Sequence, residues 1–213
     1  MGEAIGTTPT ERRIIGLTGG IATGKSTVPA YLASKHNLPV LDADVYARQA
    51  VEKGSKILDA ITHRHGPQLL LSDGTLDRQA LGNLIFTNPT EKHWLEQQIH
   101  PFVRDQFHQT TAASPPGQTL VYAIPLLFEA NLTHIVTEIW VVTCTPQQQL
   151  QRLIERNSLT TKQAQARINA QMPLSEKSQR ADHSLNNCGS RESLFEQIDQ
   201  LVGHSSSRPQ RQH

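Results

Sequence analysis

A chain of 213 residues, 37% of them hydrophobic, is long enough to bury one substantial core. Its 20 lysines and arginines nearly cancel its 19 carboxylates, and the resulting charge of +1 is too weak a field to steer a polyanion, which argues against nucleic acid as a partner. Two distant cysteines without a Cys-x-x-Cys pair, ten histidines without metal-ligand spacing and the lack of about 18 consecutive apolar residues argue against a disulfide scaffold, a zinc site and a membrane span. A cytoplasmic protein that does not engage a membrane is expected.

Residues 1–12 hold acidic, Thr and Pro residues and no apolar run, so they read as a disordered tail and not as a secretory signal. Arg13 to Thr18 is a short β-branched apolar run that meets Gly19-Gly20, the pattern of a buried strand entering a turn. From Lys25 the spacing becomes helical, with Val28, Tyr31 and Leu32 on one face, until Asn37 and Pro39 end the element. Leu38 to Leu41 predicts a second strand, closed by Asp42-Ala43-Asp44, and Val45 to Val51 a helix.

Between Gly54 and Ser114 the pattern is helical throughout, with a turn at Ser72 to Thr75 and Asp77 as the N-cap of a helix carrying Leu81, Leu84 and Ile85. Pro89 suits the first turn of a longer helix, which Pro101 is expected to kink. Leu120 to Leu127 and Ile135 to Val142 follow a Ser-Pro-Pro-Gly linker as two strands, each apolar enough for burial on both faces. A helix over Gln147 to Arg156 comes next. The polar stretch Asn157 to Arg180, divided by Pro173, reads as either a solvated helical hairpin or a mobile lid. His183 to Leu185 predicts a last strand, Arg191 to Val202 a last helix, and 203–213 a disordered tail. Strands alternating with helices, without repeats, predict an α/β fold with a parallel sheet covered on both faces.

Gly19-Gly-Ile-Ala-Thr-Gly24-Lys25-Ser26 is G-x-x-x-x-G-K-S between a strand and a helix, the context in which this pattern wraps nucleotide phosphates. Its glycines admit close backbone approach, Lys25 brings a point charge to the β- and γ-phosphates, and the Ser26 hydroxyl can ligate Mg²⁺. The helix N-terminus adds unpaired N–H groups and a favourable dipole. Such a loop names ATP and Mg²⁺ without naming the reaction. The Asn-Lys-x-Asp and Asp-x-x-Gly motifs of a regulatory GTPase are missing from the chain.

A small-metabolite kinase needs a carboxylate near the acceptor and arginines that screen the moving phosphoryl group. Asp42 and Asp44 follow the second strand, where parallel sheets place ligand sites. Asp44 is the candidate base. Asp42 either holds a Mg²⁺-bound water, orients Asp44, or caps the following helix. Arg152 and Arg156 share a helical face, and Arg167 and Arg180 belong to the lid stretch, so all four are candidate phosphate ligands. Asn187, past the last strand, is a candidate nucleotide contact.

Six motifs in order resemble the dephospho-CoA kinase family over about Arg13 to Val202: Leu17 to Thr27; Leu41-Asp-Ala-Asp44 with Ala47-Arg48; Asp73-Gly-Thr-Leu76 with Arg78; Ile99-His100-Pro101 with Arg104; Ile124-Pro125 through Glu129; and Gln171-Met-Pro173 with Ala181-Asp182. The resemblance implies a P-loop kinase fold with a central parallel five-stranded sheet. It divides the chain into a nucleotide core at 13–53 and 115–202, a lid at about 157–180 and a helical CoA-binding domain at 54–114. It implies phosphorylation of the ribose 3′-hydroxyl of dephospho-CoA by MgATP. Asp44, Lys25 and Arg152 then carry catalysis, and Gly20, Ala22, Thr23, Gly24, Lys25, Ser26, Thr27, Arg152 and Asn187 bind nucleotide. The acceptor falls to Asp42, Asp44, Arg48, Leu76, Arg78, His100, Arg104 and Pro125, the metal to Ser26. Many relatives carry an acidic residue where Ala123 stands, and Gly-Ser is commoner than Ala22-Thr23. Another metabolite or nucleoside monophosphate kinase, or a non-catalytic ATP-dependent switch, would use the same loop. Monomer is the default expectation.

Overall fold

The computed structural model describes residues 12–203, and the expected tails fall outside that range except for Arg12 and Gly203. In chain order the elements are β1 (Ile14–Gly19), α1 (Thr27–His36), β2 (Val40–Asp42), α2 (Ala43–Gln49), α3 (Lys56–His65), α4 (Arg78–Thr87), α5 (Pro89–Ala113), β3 (Leu120–Ala123), β4 (Glu138–Thr143), α6 (Pro146–Asn157), α7 (Thr161–Asn169), α8 (Leu174–Gln179), β5 (His183–Asn186) and α9 (Arg191–Gly203). The described residues form two compact units, one of residues 12–41 and 115–203, the other of Asp42–Ser114.

The first unit is built on a sheet ordered β2-β3-β1-β4-β5. β1 pairs in parallel with β3 and β4, and β4 with β5. The order reverses at β1, so the loop leaving β1 opens at the switch point where α/β sheets hold ligands. Ile15, Leu17, Val121, Trp140, Val142 and Leu185 pack with Val28 and Leu32 of α1 and Leu194 and Ile198 of α9 in one core. The burial of both faces explains why β1 and β4 read as apolar runs.

Two strands are shorter than their apolar runs. β3 ends at Ala123, not Leu127, because Pro125 lacks the N–H that would continue the ladder, although Ile124, Leu127 and Phe128 remain buried in the turn that follows. β4 starts at Glu138 and not at Ile135, since Thr133–Ile135 forms a 3₁₀ turn. β2 is displaced to Val40–Asp42, and α2 starts at Ala43 and not Val45, because Asp42 accepts from the Asp44 and Val45 N–H groups and so sets the helix start.

The second unit is helical. Ser55 caps α3, Asp77 caps α4 and Asn88 caps α5, each side-chain oxygen taking N–H groups that the first turn leaves unpaired. α5 continues as one helix through Pro101. Ala50, Val51, Leu58, Ile61, Leu69, Leu76, Leu81 and Leu95 form its core. Tyr46 meets Phe107 edge to face at 5.4 Å, which joins α2 to α5.

Candidate active site

The phosphate loop fills the interval between β1 and α1. Ala22 and Gly24 take φ of 59° and 87°, in the left-handed region that a glycine enters freely and an alanine only at a cost of about 1–2 kcal/mol. Thr23 is fully buried, and its N–H and hydroxyl both donate to the Gly20 carbonyl, at 3.3 and 2.9 Å. A side chain at Gly20 would meet Gln149 Nε2 at 2.6 Å, and one at Gly24 would collide with the Asn187 amide. The backbone is therefore hemmed in by side chains from elsewhere: Gln149 Nε2 donates to the Ile21 carbonyl at 2.9 Å, Gln171 Oε1 accepts from the Ile21 N–H at 2.8 Å, and Asn187 Nδ2 donates to the Thr23 carbonyl at 2.8 Å.

The site is electrostatically prepared for an anion. No acidic residue occupies the first turn of α1, so the positive end of its dipole is uncompensated. Ser26 is the N-cap residue, yet its hydroxyl makes no capping bond. Arg152 Nη2 donates to the Asn187 carbonyl at 3.1 Å, while Nη1 is buried and finds no oxygen or nitrogen acceptor among the described residues. Nη1 lies 3.9 Å from the place of a side chain on Gly24. The neighbouring thiol cannot neutralise it: burial pushes the Cys144 pKa up, against a smaller downward pull from Arg152, so the thiol stays protonated near neutrality. A buried guanidinium nitrogen without an acceptor, beside a loop shaped by glycine, fits a phosphate.

The lid arginines are placed differently. Arg156 Nε donates to Asn157 Oδ1 at 2.9 Å, and Arg167 is exposed on α7. Arg180 lies 4.7 Å over the Phe128 ring, with Glu176 at 3.5 Å. Pro125 accepts, through its carbonyl, from the Thr18 hydroxyl at 2.9 Å. Lys177 of α8, which sequence reasoning passed over, is fully buried: its ammonium pairs with Glu129 at 2.7 Å and points at the Gly19 and Pro125 carbonyls, at 3.3 and 3.4 Å. A lysine in a short polar segment carries no local sign of burial; Glu129 within the Ile124–Glu129 motif is the only signal that existed.

In the helical unit a pocket of about 420 Å³ gathers Asp44, Arg48, Leu76 and Arg78 around an apolar wall that includes Leu81 and Ile85. Arg78 Nη2 donates to the Arg48 carbonyl at 3.2 Å. Asp42 is engaged as the cap of α2, through Oδ1 at 2.8 Å from the Asp44 N–H. His100 and Arg104 are exposed on α5 and do not line the pocket.

Comparison with known proteins gives the family. The model of the dephospho-CoA kinase family matches residues 13–193. The chain belongs to that family. It is 60% identical over 188 residues to the dephospho-CoA kinase of Trichormus variabilis, covering 88% of this chain and 95% of that one. With the Synechocystis sp. enzyme of the same name it shares 59% over 198 residues, 93% of this chain and 98% of that one. Among solved structures, a Thermus thermophilus protein superposes with a TM-score of 0.77 at 33% identity, covering 93% of this chain and all of that one. The dephospho-CoA kinase from Campylobacter jejuni gives 0.69 at 25%, with 92% and 98% covered. Shikimate kinase from Aquifex aeolicus, at 14% identity and a TM-score of 0.54, shares the fold alone. The family is one of P-loop kinases, so the chain is a phosphotransferase using ATP. Neither another metabolite kinase nor a non-catalytic switch is favoured.

Proposed function

We propose that the chain transfers the γ-phosphoryl group of ATP to the 3′-hydroxyl of the dephospho-CoA ribose, releasing coenzyme A and ADP in the last step of coenzyme A synthesis. The observation that carries this reading is the family match over residues 13–193, which takes in both the phosphate loop and the Asp44 pocket.

The residues divide the work. The backbone of Gly20 to Thr27 and the Lys25 ammonium, which forms no ion pair among the described residues, hold the β- and γ-phosphates. Asp44 accepts the proton of the attacking hydroxyl, and Arg48 and Arg78, in the same pocket, take the anionic groups of the acceptor while Leu76 and its apolar neighbours take the carbon skeleton. Arg152 Nη1, without an acceptor of its own, screens charge that grows as the phosphoryl group moves. Asn187 fixes the loop and borders the nucleotide.

Magnesium fits the donor set. Among the described residues no three His, Cys, Asp or Glu side chains form a cage, and Ala123, at the end of β3, is apolar and buried. Mg²⁺ is commonly held by one protein oxygen, phosphate oxygens and water, and the uncapped Ser26 hydroxyl supplies that oxygen. Bound there, the ion would neutralise charge on the β- and γ-phosphates.

The lid reading narrows to α7 and its flanks, since α8 is tied down through Lys177. His100 and Arg104, exposed on α5, remain candidate acceptor contacts. The two free cysteines support a reducing cytoplasmic setting, and a monomer suffices for every role named. The test is ADP release with MgATP in the presence and absence of dephospho-CoA, with AMP, CMP and shikimate as rival acceptors. Release that requires dephospho-CoA is expected; release with another acceptor instead would overturn the substrate.

A further inference from the structure

Lysine is almost never fully buried, and when it is, its charge must be matched. Lys177 has no exposed surface, and its three donors meet three acceptors: Glu129 Oε1, the Gly19 carbonyl and the Pro125 carbonyl. Gly19 ends β1 and opens the phosphate loop; Pro125 follows β3, the neighbour of β1 in the sheet. Glu129 is fixed in turn, since the same Oε1 accepts the Met172 N–H at 3.1 Å. Lys177 therefore joins α8 to the start of the loop through the Gly19 carbonyl, and the ion pair with Glu129 holds it there.

The peptide group gives this contact a consequence. In a trans peptide the C=O and the following N–H point in opposite directions, and no described peptide bond is cis. Holding the Gly19 carbonyl towards Lys177 turns the Gly20 N–H the other way. The pattern repeats along the loop: Gln149 holds the Ile21 carbonyl and Asn187 the Thr23 carbonyl, so the Ala22 and Gly24 N–H groups are likewise turned away from those side chains. N–H groups aligned like this make an anion-binding concavity. Of the three side chains that hold these alternate carbonyls, Lys177 alone carries a charge.

We infer that Lys177, anchored by Glu129, is a positioning residue for the phosphate loop: its buried ammonium orients the first peptide of the loop and thereby raises the affinity for the phosphates of ATP. The inference rests on the reading of the loop as the ATP site. It makes α8 part of the nucleotide site's foundation.

The experiment measures ATP affinity directly, by titration of the intact protein with ATP, alongside thermal unfolding. Lys177→Met keeps the length of the side chain and removes the charge, and should weaken ATP binding by tenfold or more. It also strands Glu129, so part of its effect is loss of stability. Lys177→Met combined with Glu129→Leu removes both partners, which often restores stability; the ATP defect should persist in it. KM for ATP should rise in both variants while KM for dephospho-CoA stays within twofold, a split that a general loss of folding would not produce. Glu129→Gln, a milder change, should weaken ATP three- to tenfold and carries the test if Lys177→Met fails to fold. ATP affinity that recovers with stability in the double variant, or stays unchanged in any of the folded variants, overturns the inference. A wild-type protein that binds no ATP overturns the reading of the loop and the inference with it, whereas wild-type binding with unaltered variants overturns the inference alone.

Discussion

Asn187 and Thr23 are 164 residues apart in the chain, yet the Asn187 side-chain amide donates to the Thr23 carbonyl over 2.8 Å. The same asparagine gives its own carbonyl to Arg152 Nη2, so one residue joins the phosphate loop to the arginine beside it. Asn187→Ala removes the hold on the loop, a net hydrogen bond worth about 1 kcal/mol, and should weaken ATP binding about fivefold. Titration with ATP measures it; an affinity equal to wild type would show that the loop keeps its shape unaided.

Gly24 is held in place from two sides. Its φ of 87° disfavours any L side chain, and the Asn187 amide occupies the space that a side chain would need. Gly24→Ala should abolish detectable ATP binding while the unfolding temperature falls by only a few degrees, since the loop is a small part of the buried surface. Retained ATP binding would contradict the packing described.

Asp44 lines the acceptor pocket together with Arg48 and Arg78. If its carboxylate takes the hydroxyl proton, Asp44→Asn should lower kcat by about 10² to 10⁴ and leave the Kd for ATP unchanged. Single-turnover kinetics separates these quantities. Unchanged turnover would remove Asp44 from the mechanism.

Acid stability should depend on Glu91. Arg64 donates to both of its oxygens, at 2.7 and 2.9 Å, and these bonds hold the Glu91 carboxyl below its ordinary value of 4.5. A depressed folded pKa gives stability that is present above the unfolded value and is lost as pH falls through the folded one. The unfolding temperature of Glu91→Gln should therefore lie below that of wild type at neutral pH, and the margin should close as pH falls through and below the ordinary carboxylate range. Unfolding of both proteins across that range checks the sign. A margin that is the same at every pH would show that the pair adds no pH dependence.

Much of the nucleotide half was legible because its signals are local. A β-branched run, two glycines, Gly-Lys-Ser and a helical repeat lie within about twenty residues, and each acts through neighbours a few positions away. The caps at Asp77 and the helix start at Pro89 were equally local. The ends of β3 and β4 were not, since burial in a turn and burial in a ladder look alike as apolar runs. Arg180 illustrates the same limit: its charge suggested phosphate, and only packing put it over Phe128.

By itself, then, the sequence determined the α/β class, the phosphate loop, the order of motifs and the family resemblance, because periodicity, glycine conformations and capping are short-range physics. Only the tertiary structure decided that Lys177 is buried against Gly19 from 158 positions away, that Asp42 is engaged as a cap, and that Arg152 keeps a nitrogen without an acceptor. Those facts depend on desolvation and on which distant groups meet. A charge patterned like any surface charge gives no sign of either until the chain has closed around it.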